Sequence, residues 1–104
     1  MDFLPIFLDI RNKPCLVVGG GSIAARKVAL LQKAGGNVTV VSPVLCQEVQ
    51  IFREESDLKV VQRIFEDGDI QHQSLIIAAT DSVDINDHIA QLAKAQNIPV
   101  NVVN

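Results

Sequence analysis

The 104-residue sequence predicts an α/β fold built on a doubly wound, mainly parallel sheet of five to six strands, and three observations carry that prediction. Short apolar runs alternate along the chain with stretches whose apolar residues recur at helical spacing. Two of the runs, Cys15–Val18 and Leu75–Ala79, are continuously apolar, as expected of strands covered on both faces. Glycine or proline breaks, at Gly19-Gly20-Gly21, Gly35-Gly36 and Ser42-Pro43, separate strand-like from helix-like segments.

Taken in order, Leu4–Leu8 reads as a short edge strand, a position compatible with its proline. Cys15–Val18 is the first central strand. The helix that follows, from Ser22 to Ala34, places Ala24, Val28, Leu31 and Gly35 on one face, and Gly35-Gly36 ends it. Val38–Val41 is the next strand, closed by Ser42-Pro43, and a shorter helix is predicted around Cys46–Glu54. Leu58–Val61 reads as a strand, Phe65–Ile70 as an irregular link, and Leu75–Ala79 as a strongly buried strand. Thr80-Asp81-Ser82 opens a helix reaching Gln96, with Ile85, Ile89 and Leu92 on one face and with Asp81 and Asp84 favouring its N-terminus. Pro99–Val103 is the last strand. This alternation implies parallel strands joined by right-handed crossovers. A strand so close to the end of the chain suggests a domain drawn from something longer.

Composition narrows the function classes. At 48% hydrophobic and 20% charged residues the chain can bury an ordinary core, and a net charge of −3 with scattered Lys and Arg argues against nucleic-acid binding. No apolar stretch approaches the ~20 residues of a membrane span, and the first residues lack the pattern of a signal peptide. Cys15 and Cys46 belong to no C-x-x-C pair and no metal-ligand cluster, so free thiols in a reducing cytoplasm are expected and no metal site is assigned. Tyr is absent, which removes its acid–base chemistry.

The most informative stretch is Gly19-Gly20-Gly21-Ser22-Ile23-Ala24, which fits G-x-G-x-x-A between a strand and a helix. Gly19 permits the tight turn, Gly21 lets a diphosphate approach the backbone, and Ala24 lets the helix pack closely on the strand. The free N–H groups of the helix start, from Ser22 and Ile23 onward, would face the phosphates. The fold expected is therefore Rossmann-like, and the ligand a dinucleotide. An NAD site of this type usually has an acid at the end of the second strand to hold the ribose hydroxyls. Val40-Val41-Ser42-Pro43 has none; Ser42 offers a weaker hydrogen bond, and Pro43-Val44 could border the adenosine. No arginine follows that strand to hold a 2′-phosphate, so NADP is disfavoured. At the carboxyl end of the fourth strand, Ala78-Ala79-Thr80-Asp81 lies on the rim where ligands of such sheets bind, and Thr80 could bond to the cofactor. Arg26, Lys27, His72 and His88 read as solvated surface residues, and Asn86 is open to either a structural or a functional reading.

At this point the residues resemble a known family. "LPIFLDIRNKPCLVVGGGSIAARKVALLQKAG", "AATD" and "NVVN" are similar to the N-terminal domain of sirohaem synthase and to separate precorrin-2 dehydrogenase/sirohydrochlorin ferrochelatase proteins, from Leu4 to Asn104. The resemblance implies NAD⁺-dependent oxidation of precorrin-2 to sirohydrochlorin, followed by insertion of Fe²⁺, a substrate rather than a resident cofactor. It implies NAD contacts at Ser22-Ile23 and Pro43-Val44, which join Gly19, Gly20, Gly21, Ser42, Thr80 and Asp81 as the candidate cofactor site. It also implies a homodimer in the full-length protein, through a dimerisation region and a helical region that these residues do not include. The family has an aspartate after N-V-V, assigned as general acid/base, where this sequence has Asn104. An amide does not take up a proton at neutral pH, so this catalytic position departs from the pattern. Two competing readings remain: a regulatory domain that senses NAD without chemistry, and a methyltransferase using S-adenosylmethionine. The first more often carries an acid after the second strand and the second an acid before the glycine turn; neither is present.

Overall fold

The computed structural model describes residues 3–103. Its elements run β1 (Pro14–Val18), α1 (Ser22–Lys33), β2 (Asn37–Val41), α2 (Gln47–Glu55), β3 (Lys59–Val61), a 3₁₀ turn (Asp67–Ile70), β4 (Leu75–Ala78), α3 (Val83–Ala95) and β5 (Val100–Val102). The five strands form one parallel sheet in the order β3-β2-β1-β4-β5. The chain therefore winds outward from β1 to β3, returns to the other side of β1, and winds outward again. That reversal puts a topological switch point between β1 and β4, where ligands of open parallel sheets bind.

The continuous apolar strands are explained by two cores, one on each face. Cys15 and Val17 of β1 point to the side covered by Ala24, Ala25, Val28 and Leu31 of α1 and Val49 of α2. Leu16 and Val18 point to the other side, against Ile89 and Ala93 of α3 and Ile70 of the 3₁₀ turn. Every residue of β1 from Cys15 to Val18 is at most 2% exposed. An alternating polar residue there would leave an unsatisfied group in one core or the other.

Three expectations are corrected. Leu4–Leu8 forms no strand; Leu4, Ile6 and Phe7 stand exposed, Ile10 is the first described residue to enter the core, and the sheet among the described residues has five strands. Pro5 lacks a donor, and among the described residues no strand pairs with the segment. The cap of α3 is Ser82, whose Oγ accepts from the Ile85 amide at 3.2 Å, while Asp84 lies in the first turn. Its buried stripe is Asn86, Ile89, Ala90 and Ala93; Ile85 is exposed and Leu92 only partly buried. The Phe65–Ile70 link, expected to be irregular, ends in the ordered 3₁₀ turn.

Candidate functional site

The site is built where β1 and β4 end side by side. Gly19 amide donates to Val41 O at 3.0 Å and Ala79 amide to Val18 O at 2.9 Å, so the three central strands finish level with one another. Gly19 then turns the chain with φ +131°, and a Cβ at that position would lie 2.3 Å from Ala79 O. Gly20 is pressed against the loop after β2: a Cβ there would lie 2.0 Å from Val44 O and 2.7 Å from Ser42 Oγ. Gly21 differs from both, because a Cβ there would meet nothing within 4 Å. The first two glycines are required by the protein's own packing, whereas the third faces open space.

That open space lies in front of the α1 N-terminus. Gly21 is the N-cap with extended backbone and supplies no side-chain cap, and the first intrahelical acceptance is Gly21 O from the Ala25 amide at 2.9 Å. The amides of Ser22, Ile23 and Ala24 have no acceptor among the described residues. Uncapped amides at the positive end of a helix dipole are the donor set that a diphosphate needs. Arg26 lies exposed and Lys27 half-buried farther along α1, away from the cleft lining, as a solvated face.

Two adjoining clefts meet at this point. The larger, about 770 Å³, runs from Gly19, Gly20 and Gly21 past Ser42, Pro43 and Val44 towards α3 and the 3₁₀ turn. The smaller, about 270 Å³, lies beside Ser22, Ile23 and Val103, and both share Gly21, Thr80 and Asp81. The structure thus brings together ten candidate residues: Gly19, Gly20, Gly21, Ser22 and Ile23 from the turn, Ser42, Pro43 and Val44 from the β2 loop, and Thr80 and Asp81 from the β4 rim. Asn104 lies outside the described residues.

The polar candidates differ in what they have left to offer. Ser42 is 6% exposed, and its hydroxyl donates to Val44 O at 2.7 Å, so it fastens the β2 loop. Gln62 Nε2 donates to Pro43 O at 3.4 Å, and Cys46 amide donates to Gly20 O at 2.7 Å, which ties the same loop to the glycine turn. Thr80 is also engaged: its hydroxyl lies 2.7 Å from Asn86 Oδ1, which accepts the Thr80 amide at 3.0 Å as well. Asn86, open to two readings in the sequence, is 2% exposed and structural; its Nδ2 donates to Thr80 O at 3.1 Å and Val103 O at 3.4 Å. It locks the rims of β4 and β5 together. Asp81 is exposed at the cleft mouth.

Sequence reasoning missed the far wall of the larger cleft. Cys46, Ile64, Asp67, Asp84, Ile85 and His88 all line it. His88, expected to be a surface residue without a partner, lies 2.8 Å through Nε2 from Asp67 Oδ1. The turn carrying Asp67 is held by Arg63, which donates to both Asp69 oxygens at 2.9 and 2.7 Å, and by the Glu66 amide, which donates to Asp69 Oδ2 at 2.9 Å. The Arg63 guanidinium holds the Asp69 carboxyl below its ordinary range, and Arg63 is pushed up in return. No sequence motif marks the Asp67–His88 contact, which joins the 3₁₀ turn to α3.

Comparison with known proteins agrees with this geometry. A family model described as "Putative NAD(P)-binding" matches residues 6–104. The chain is 48% identical over 103 residues to a "Siroheme synthase" of Thioalkalivibrio sulfidiphilus and 49% identical over 107 residues to one of Nitrosospira multiformis. Each alignment covers 99% of this chain but only 21% and 23% of those proteins, so the chain spans about a fifth of the relatives' length. Among solved structures, "SirC, precorrin-2 dehydrogenase" superposes with a TM-score of 0.80 at 26% identity, covering 95% of this chain and 48% of that one. A lactate dehydrogenase from Eimeria maxima, with NADH and oxamate, gives a TM-score of 0.60 at 13% identity over 95% of this chain and 37% of that one, a likeness of fold alone. With a matching family model spanning residues 6–104, and an uncapped helix start beside an open glycine at the switch point of the sheet, the chain belongs to this NAD(P)-binding family.

Proposed function

We propose that this chain is the NAD-binding part of a precorrin-2 dehydrogenase, oxidising precorrin-2 to sirohydrochlorin on the way to sirohaem. The observation that carries the reading is the open face of Gly21 beside the free amides of Ser22, Ile23 and Ala24 at the switch point of the sheet. The residues present fit the cofactor: the amides would hold its diphosphate, and the loop at Pro43-Val44 would border its adenosine. The rim at Thr80-Asp81, which both clefts share, would contact it as well. NAD⁺ bound there supplies a hydride acceptor. Asn86 holds the Thr80 rim rigid beneath it, and Ser42 keeps the β2 loop closed on Gly20. Both are positioning residues.

The tetrapyrrole would lie at the carboxyl edge of the sheet. Removal of its protons needs a base, and Asn104, where the family carries an aspartate, has none to offer. Insertion of Fe²⁺ into sirohydrochlorin belongs to the same proposal, with iron as substrate. So do a homodimer in the full-length protein and a reducing cytoplasm that keeps Cys15 and Cys46 as thiols. Titration with NAD⁺, NADP⁺ and S-adenosylmethionine tests the cofactor, and preference for the methyl donor would refute it. Replacing Asn104→Asp, in a chain continued by the corresponding region of a full-length relative, is expected to raise sirohydrochlorin formation about 100-fold, the scale of one general base. An unchanged rate would remove position 104 from the mechanism.

A further inference from the structure

The far wall of the larger cleft combines apolar exposure with one polar pair. Val44 is 74% exposed, Ile64 71% and Ile85 45%, and all three line this cleft, from the loop after β2, the link after β3 and α3. Large aliphatic side chains left open to water around a concavity suit a flat, apolar ligand face. Beside them stand Asp67 and His88, joined at 2.8 Å, with Asp67 Oδ2 free of any hydrogen-bond partner among the described residues. Neither lysine nor arginine is among the described residues lining the cleft, whereas Asp81 and Asp84 are.

We propose that the Asp67–His88 pair determines which base this site accepts, with Asp67 taking the 6-amino group of adenine while Val44, Ile64 and Ile85 enclose the ring. The inference rests on the cofactor reading above, which places the adenosine at Pro43-Val44 and so at the entrance to this wall. A carboxylate oxygen can only accept hydrogen bonds, and adenine presents an amino donor at its exposed edge. His88 in its neutral form donates Nε2–H to Oδ1, which fixes the carboxylate and leaves Oδ2 for the ligand. The 3₁₀ turn is itself braced by the Arg63–Asp69 ion pair, so Asp67 is presented by an ordered backbone. His88 is therefore a positioning residue and Asp67 a binding one. The pair also provides a carboxylate to the adenosine half from the link after β3, in a sheet whose second strand ends without one.

A base with an acceptor in place of the amino group would set oxygen against oxygen. Affinities of the chain for NAD⁺ and for nicotinamide hypoxanthine dinucleotide, measured by calorimetry at pH 8, test this directly. The expected preference for NAD⁺ is about tenfold, the scale of one charge-assisted hydrogen bond. Asp67→Ala should abolish it. His88→Ala should weaken it, and His88→Gln, which retains an N–H donor, should restore it, a pattern that loss of fold would not produce. Equal affinity of the unsubstituted chain for the two dinucleotides overturns the proposal, as does a preference that survives Asp67→Ala. Failure of the unsubstituted chain to bind NAD⁺ at all would overturn the cofactor reading instead, so the two failures are distinguishable.

Discussion

Gly20 and Gly21 are neighbours with opposite reasons for being glycine, and substitution separates them. In Gly20→Ala the new methyl collides with the Val44 carbonyl, a backbone atom that moves only with the β2 loop. A loss of about 3 kcal/mol or more in denaturant unfolding is expected. Gly21 has φ −90°, which alanine adopts readily, and a methyl there meets no protein atom. Gly21→Ala should therefore unfold within about 0.5 kcal/mol of the parent while binding NAD⁺ about tenfold more weakly, because the methyl would occupy the proposed approach of the diphosphate to the amides. Calorimetric titration of both proteins checks the pair; an unaffected NAD⁺ affinity in Gly21→Ala would refute the placement of the diphosphate. Both glycines were visible in the sequence, but their separate reasons were not, because Val44 O reaches Gly20 only through the folded β2 loop.

Among the elements, the 3₁₀ turn shows how a link with no apolar periodicity is held in place. Arg63 and Asp69 form a two-point ion pair, and the Asp69 side chain is 12% exposed. The folded carboxyl is held low by this guanidinium, so its stabilisation is full above the ordinary carboxylate range and is lost as pH falls through the lowered folded value. Asp69→Asn is expected to cost about 1–2 kcal/mol near pH 7, allowing for the partly exposed partner. The gap between parent and variant in urea unfolding should close in strong acid. A gap that stayed constant with pH would show that the ion pair does not stabilise the turn. A similar contrast separates two segments near the start of the sequence. β1 was legible because both its faces are buried, whereas Leu4–Leu8 had the composition of a strand and no strand to pair with.

At the scale of the whole molecule, the two thiols report on different depths. Cys15 is fully buried, and burial pushes its thiol up, while Cys46 is half-buried and lines the larger cleft. Iodoacetamide at neutral pH should therefore modify Cys46 in the native protein and reach Cys15 only at the rate of global unfolding. NAD⁺ should slow the Cys46 reaction; mass spectrometry of the labelled peptides reads both. Labelling of Cys46 indifferent to saturating NAD⁺ would place the cofactor elsewhere.

The sequence by itself determined the parallel sheet, the glycine turn and the ten candidate residues that line the two clefts. Each depends on local signals: apolar runs, a helix start, a strand end. Tertiary structure alone decided that Ser42 and Thr80 are occupied by the protein's own hydrogen bonds, that Asn86 joins two strand ends, and that Asp67 meets His88. Those pairings link residues from 2 to 21 positions apart, and no periodicity encodes a contact that exists only once the sheet has brought separate loops to one edge.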